Sequence, residues 1–198
     1  MSVDLFWLPL GAGGHSVRWN GRVYEAVVSR LEHRAAAGLY HSALLVGPED
    51  GRYVVESAPA WGDGSERGVV AEGAVGSRAL GALRLFRYEV RCWRGGVIPD
   101  VAEAVDSPRR LSDDVAVAER IVALAPQLPT PVWGRDELRA GEMWNSNSIV
   151  AWLLARAGLD AAAVRPPAGG RAPGWAAGVA VAARPAASPS ARSALAAR

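Results

Sequence analysis

The chain has 198 residues, 50% of apolar type and 21% charged, which is enough for one sizeable core and short for two. All 22 basic residues are arginine, and three of them (Arg184, Arg192, Arg198) lie in a C-terminal tail, leaving 19 against 20 acids in the body. That balance offers no basic face for nucleic acid. The single cysteine, Cys92, excludes an intrachain disulfide framework and a four-cysteine zinc site, and no run reaches the ~18 apolar residues of a membrane span.

The opening "MSVDLFWLPLGAGGH" has no basic n-region and no alanine-type cleavage site, so the expectation is a soluble cytoplasmic protein. Short runs rich in valine, tyrosine, leucine and tryptophan predict strands over Val3–Leu10, Arg22–Ser29, Leu39–Gly47, Arg52–Ser57, Gly68–Glu72 and Leu83–Trp93. The short "GPEDG" connection makes the third and fourth a hairpin.

After "GGVIPD" the apolar spacing becomes helical. In "LSDDVAVAERIVALAPQL", Ser112 can cap, Asp113 and Asp114 suit the positive helix end, Val117, Ile121, Leu124 and Ala125 share a face, and Pro126 stops the run. A proline-rich connector leads to a second helix over 147–157, where Ile149, Val150, Leu153, Leu154 and Ala157 form the apolar stripe and Gly158 ends it. "WAAGVAVAA" is compatible with a last strand, and the composition from Arg184 onward predicts disorder. The fold expectation is therefore a single α+β domain over 1–183, a mainly antiparallel sheet packed against helices, with a disordered tail over 184–198.

The second helix opens with unusual chemistry. In "GEMWNSNSIVAWLLARAG" the polar residues Asn145, Ser146, Asn147 and Ser148 stand directly before the apolar stripe. They can be capping residues, or one serine can be a nucleophile stabilised by the convergent backbone amides of a helix N-terminus. A serine nucleophile needs a base. His15 follows the glycine-rich "GAGG" and His33 lies in the charged "RLEHR", whereas His41 in "GLYHSALLVG" interrupts an apolar strand, where an imidazole needs a partner. Glu56 in "RYVVESAP", across the hairpin, can orient that imidazole or remain an exposed strand-end charge, and Glu25 has a similar context.

The chain order of strand histidine, polar residue on the next strand and helix-start nucleophile resembles the circularly permuted papain-like hydrolases, relatives of the NlpC-type peptidases and of the lecithin:retinol acyltransferase group. The resemblance runs from roughly Leu39 to Leu159, through His41 in "YHSALLV", Glu56 in "VVES" and Ser146 in "WNSNSIVAWLL". It implies a permuted papain-like fold, with His41, Glu56 and Ser146 as catalytic residues and Trp144, Asn145 and Asn147 as substrate-binding residues. Ser146 stands where that family places cysteine, and a serine hydroxyl is far less acidic than a thiol.

Two functions follow from the resemblance. One is a hydrolase or acyltransferase acting on an amide, peptide or ester bond. The other is an inactive relative that binds a ligand or partner in the same cleft. Outside the resemblance stands a third reading, a structural protein with an N-capped helix and no site, in which His41 and Ser146 lie far apart. The first two imply a small-molecule or peptide-like substrate, and no cofactor. "GAGGHS" does not match nucleotide-binding glycine spacings, and the absence of HExxH, paired-histidine and calcium-loop patterns argues against a metal. Trp19 and Trp61 could line a groove with Trp144, whereas Trp152 reads as core.

Overall fold

The structure is a computed structural model that describes residues 1–10, 37–47, 51–60, 68–98 and 100–185. The expected strand Arg22–Ser29, together with His15, His33, Glu25, Trp19 and Trp61, lies outside the described residues, as does the tail from residue 186. The described elements form a mostly antiparallel sheet with helices, the α+β arrangement expected from the sequence.

Six strands run β1 (Ser2–Pro9), β2 (Gly38–Gly47), β3 (Tyr53–Pro59), β4 (Val69–Ala74), β5 (Arg87–Arg94) and β6 (Val105–Ser112). Their order across the sheet is β4-β5-β3-β2-β1-β6, and the two-residue β7 (Gly170–Arg171) pairs parallel with the start of β2. β2 and β3 form the expected hairpin, with Leu44 opposite Val55 and Val46 opposite Tyr53. β6 has no counterpart among the expected strands. Its sequence "VDSPRRLS" lacks apolar alternation and holds Pro108, which a ladder tolerates at a sheet edge, and the strand is indeed at the edge.

Strand alternation divides the core in two. Val3, Leu5 and Trp7 of β1, Leu44 and Val46 of β2, Val55 of β3 and Tyr88 and Val90 of β5 point to one face, where all three helices cover them. Phe6, Leu8, Ala43 and Val54 point to the other, where Ile98 and Ala104 pack on them. β1 is apolar at consecutive positions because both of its faces are covered. Its one charge, Asp4, is buried but satisfied: Ser2 Oγ donates to it at 2.9 Å and Arg110 forms a hydrogen-bonded ion pair with it.

Helix α1 (Val115–Leu124) is capped by Asp114, whose carboxylate accepts from the Ala116 amide. The cap expected at Ser112 moves two residues along because Ser112 closes β6, where its hydroxyl accepts from Asp114 N. Helix α2 (Ser146–Arg156) is buried nearly all round, with Ile149, Val150, Leu153 and Leu154 at the centre of the larger core cluster. Each of those side chains contributes roughly 2 kcal/mol by leaving water. Gly158 has φ +95° and ends the turn that follows.

The segment expected to be a last strand is instead helix α3 (Trp175–Ala182). Its alternating valine and alanine suit either structure, and the neighbour decides. α3 lies so close to α2 that a Cβ on Gly178 would stand 2.2 Å from the Ser148 carbonyl oxygen, a contact open only to glycine on a helix packed against a helix. Just beyond α3, Arg184 donates to the carbonyls of Leu138 and Arg139, so the first residue of the expected tail is held to the body.

Candidate functional site

The polar residues at the start of α2 form a closed hydrogen-bond network. Asn145 is the N-cap, and its Oδ1 accepts from the amides of Asn147 (2.9 Å) and Ser148 (3.3 Å). Ser148 completes a capping box: its hydroxyl accepts from Asn145 N at 3.1 Å and donates to the Gly174 carbonyl at 2.7 Å. Asn147 joins three elements. Its amide nitrogen donates to the carbonyls of Tyr40 (2.9 Å) and Pro173 (3.0 Å), and its Oδ1 accepts from the Ser42 hydroxyl at 2.9 Å. Glu142 completes the junction by accepting from Gly174 N, the cap position of α3.

Ser146 stands apart. It is buried, yet its hydroxyl has no hydrogen-bond partner among the described residues. The amides expected to stabilise an oxyanion beside it belong to Asn147 and Ser148, and both already donate to Asn145.

His41 lies on the other side of the sheet. β1 and β2 pair without a register shift from Ser2 opposite Gly47 to Pro9 opposite Tyr40, so Leu8 faces His41 and Trp7 faces Ser42. Leu8 belongs to the smaller core cluster and Trp7 to the helix-covered one. His41 therefore shares the face of Ala43, and the residue turned toward α2 is its neighbour Ser42, which bonds Asn147. The expected proton transfer from Ser146 to His41 has no direct path, because the strand backbone stands between the two side chains. The His41 ring is half-buried; burial pushes its pKa down to about 4, a shift that the Asp100 carboxylate opposes.

Glu56 is buried on the His41 face, with Arg91 of β5, its cross-strand neighbour, 3.9 Å away. Arg91 also makes two hydrogen bonds to the buried Glu89, of 3.1 and 3.0 Å. The sequence expectations did not include this cluster, in which Glu56 and Glu89 meet Arg91 and Arg84 adds a second guanidinium 3.9 Å from Glu89. Its signal was the period-two pattern of "YEVRCWR", which puts Tyr88 and Val90 on one face and Glu89 and Arg91 on the other.

Trp144, expected to bind substrate, is a core residue at 2% exposure and has no surface to offer a ligand. Trp152 is also core, as expected. Cys92 is a half-buried free thiol whose pKa burial pushes up to about 11, which removes it as a thiolate nucleophile. Among the described residues no cluster of histidine, cysteine or carboxylate side chains could hold a metal ion, and no helix is long and apolar enough to cross a membrane.

The described surface does contain a cleft of about 310 Å³, lined by none of the expected site residues. It runs beside β4, at the edge of the sheet, between Glu72 and Ala74 on one side and Thr130 and Val132 on the other, with Arg78 and Arg87 contributing to its lining. Tyr88 fixes the far wall by donating to the Pro131 carbonyl at 3.0 Å and packing on Trp133 at 5.0 Å. Gly73 makes room for that ring, since a Cβ there would stand 2.4 Å from it. The arginines are anchored: Arg78 pairs with Glu137 at 2.5 Å, and Arg87 donates to the Gly81 carbonyl at 2.6 Å and lies 3.5 Å from Glu72.

No family model, curated protein or solved structure matches the chain.

Proposed function

We propose that the chain is a non-catalytic binding domain, the inactive counterpart of a permuted papain-like hydrolase. The observation that carries this reading is the unbroken β1–β2 register, which puts His41 on the face opposite Ser42, Asn147 and α2. Serine is a weak nucleophile without a base within hydrogen-bond reach, and Ser146 has none among the described residues; the amides of Asn147 and Ser148, which would stabilise an oxyanion, are engaged in the cap. The polar segment at 145–148 then acts as the joint of β2, α2 and α3. What the chain would bind is a small molecule or a peptide-like partner.

Hydrolysis of activated esters and of peptidyl anilides, followed by absorbance, tests this. The wild type, Ser146→Ala and His41→Ala should all proceed at the buffer rate. A rate for the wild type that falls at least about a hundredfold in both variants, as loss of a nucleophile or its base produces, would sink the proposal and restore the hydrolase.

A further inference from the structure

A hydrogen-bond ladder begins on the outer edge of β4 and stops after one step. At Val75 the chain forms a parallel bridge with Trp133: Trp133 N donates to the Ala74 carbonyl at 2.8 Å, and Gly76 N to the Trp133 carbonyl at 3.0 Å. Two residues back, the same pattern would have residue 131 donate its N–H to the Glu72 carbonyl and accept from Ala74 N. Neither bond forms. Pro131 has no N–H to give, and its carbonyl accepts instead from the Tyr88 hydroxyl at 3.0 Å.

Side chains hold that interruption in place. The Tyr88 ring reaches Pro131 over Gly73, the position where a Cβ would meet it, and Glu137 accepts from Val132 N at 2.9 Å. The cleft of about 310 Å³ occupies the gap, with Glu72, Gly73 and Ala74 on one wall and Thr130 and Val132 on the other. Val75 N donates inward to Phe86 at 2.8 Å, so by alternation Gly73 also faces β5 and its neighbours face outward. The groups directed at the cleft are the N–H of Ala74 and the N–H and C=O of Glu72. Among the described residues none of the three has a hydrogen-bond partner.

Charge narrows what fits. Each charged side chain in the lining is already paired within the chain: Arg78 with Glu137 at 2.5 Å, and Arg87 with Glu72 at 3.5 Å, Arg87 also donating to the Gly81 carbonyl at 2.6 Å. The cleft thus offers main-chain donors and an acceptor without an unpaired charge. Its complement is uncharged and carries C=O and N–H groups at strand spacing, as a peptide main chain does. We infer that the cleft takes an uncharged, extended peptide segment of a partner protein, which supplies the main-chain groups that Pro131 withholds. One residue of the segment donates its N–H to the Glu72 carbonyl and accepts from Ala74 N, and the residue two before it accepts from Glu72 N. This inference rests on the binding reading above and names the class of partner.

The test uses the full chain and a short, terminally blocked, fluorescently labelled peptide alternating threonine and valine. The expected result is a rise in anisotropy that is equal at low and high salt, since no charge pairing is involved. N-methylation of every peptide amide should weaken it at least about tenfold, as loss of one or two backbone hydrogen bonds implies. Hydrogen exchange should slow at the amides of Glu72 and Ala74 and not at Gly73. Pro131→Ala provides the missing N–H within the chain, so its own 130–132 segment competes for the edge and peptide binding falls about tenfold. The N-methylated peptide tests main-chain pairing without altering the protein, so a poorly folded variant cannot hide the answer.

The inference is overturned by no binding, by equal binding of the N-methylated peptide, by protection away from β4, or by undiminished binding to a folded Pro131→Ala. A preference of about tenfold or more for the same peptide with glutamate or lysine in place of threonine also overturns it, because charge would then be what is recognised. So does concentration-dependent dimerisation through the same amides, which makes a second copy the occupant. Ester hydrolysis by the wild type would sink the non-catalytic reading and leave peptide capture at this cleft standing.

Discussion

Replacing Asn147 by aspartate separates a structural joint from a binding residue. Asn147 is 2% exposed, and its Nδ2 donates to two carbonyl oxygens, those of Tyr40 and Pro173. Asn147→Asp removes both donors and presents a third oxygen to two others. Each lost hydrogen bond removes roughly 1 kcal/mol, and a buried carbonyl left unpaired costs about 1–3 kcal/mol more. Pro173 keeps the Asn145 amide at 2.9 Å, so the larger penalty falls at Tyr40. The sum is about 4 kcal/mol, or roughly 10 °C in melting temperature for a chain of this size.

The effect depends on pH with a definite sign. Facing carbonyl oxygens, the new carboxyl is better off protonated, so its folded pKa is raised above the unfolded value near 3.9. The native state then binds more protons, and the variant is closest to wild type below about pH 4 and loses stability as pH rises through the folded pKa. Urea unfolding of both proteins across that range, compared at each pH, gives the difference directly. Ser146→Ala is the control: its hydroxyl has no partner among the described residues, so it should change stability by less than about 0.5 kcal/mol. Equal stability of Asn147→Asp and wild type, or a comparable loss in Ser146→Ala, would refute the assignment of the joint.

Two further outcomes follow from the same structure. Gly178→Ala raises helix propensity by about 1 kcal/mol yet should lower the melting temperature, because its Cβ would sit 2.2 Å from the Ser148 carbonyl oxygen; a higher melting temperature would mean that α2 and α3 are not in close contact. The His41 imidazole should titrate near pH 4 by NMR, and, because its folded pKa lies below the unfolded value, its stabilising contribution is full above about pH 6.5 and is lost as pH falls toward 4, by at most about 3 kcal/mol. A midpoint near 6.5 would place the ring in water.

The sequence made the β2–β3 hairpin and α2 legible because each has strong local periodicity bounded by a turn or a glycine. Other elements depended on their surroundings. β6 carries charges and a proline because it is an edge, and edges need little apolar surface. α3 reads equally as strand or helix until α2 is beside it, when Gly178 becomes a packing requirement. The candidate site was legible as residue types and not as a constellation. Whether His41 or Ser42 faces α2 depends on strand parity, and one position along β2 exchanges the faces of both. Nothing in "YHSALLV" itself fixes that parity; the pairing of Trp7 with Ser42 does.

The start of α2 also shows why polar residues at a helix N-terminus have two incompatible uses. A catalytic helix start leaves its first amides directed at a cleft, ready for charge that develops during reaction. Here Asn145 accepts from two of them, Ser148 returns the bond to Asn145, and Asn147 carries the network across to β2 and to the segment leading into α3. Opening those amides to a substrate would uncap α2 and loosen the junction with α3 together, removing roughly 1 kcal/mol for the cap alone. Restoring a nucleophile by Ser146→Cys would therefore yield an ordinary thiol rather than an enzyme: among the described residues no imidazole lies on its side of the sheet, and the neighbouring amides of Asn147 and Ser148 are already engaged by Asn145. Iodoacetamide should label that cysteine no faster than an exposed cysteine elsewhere on the chain, and His41→Ala should leave the rate unchanged, whereas faster labelling that His41→Ala abolishes would place the imidazole beside it.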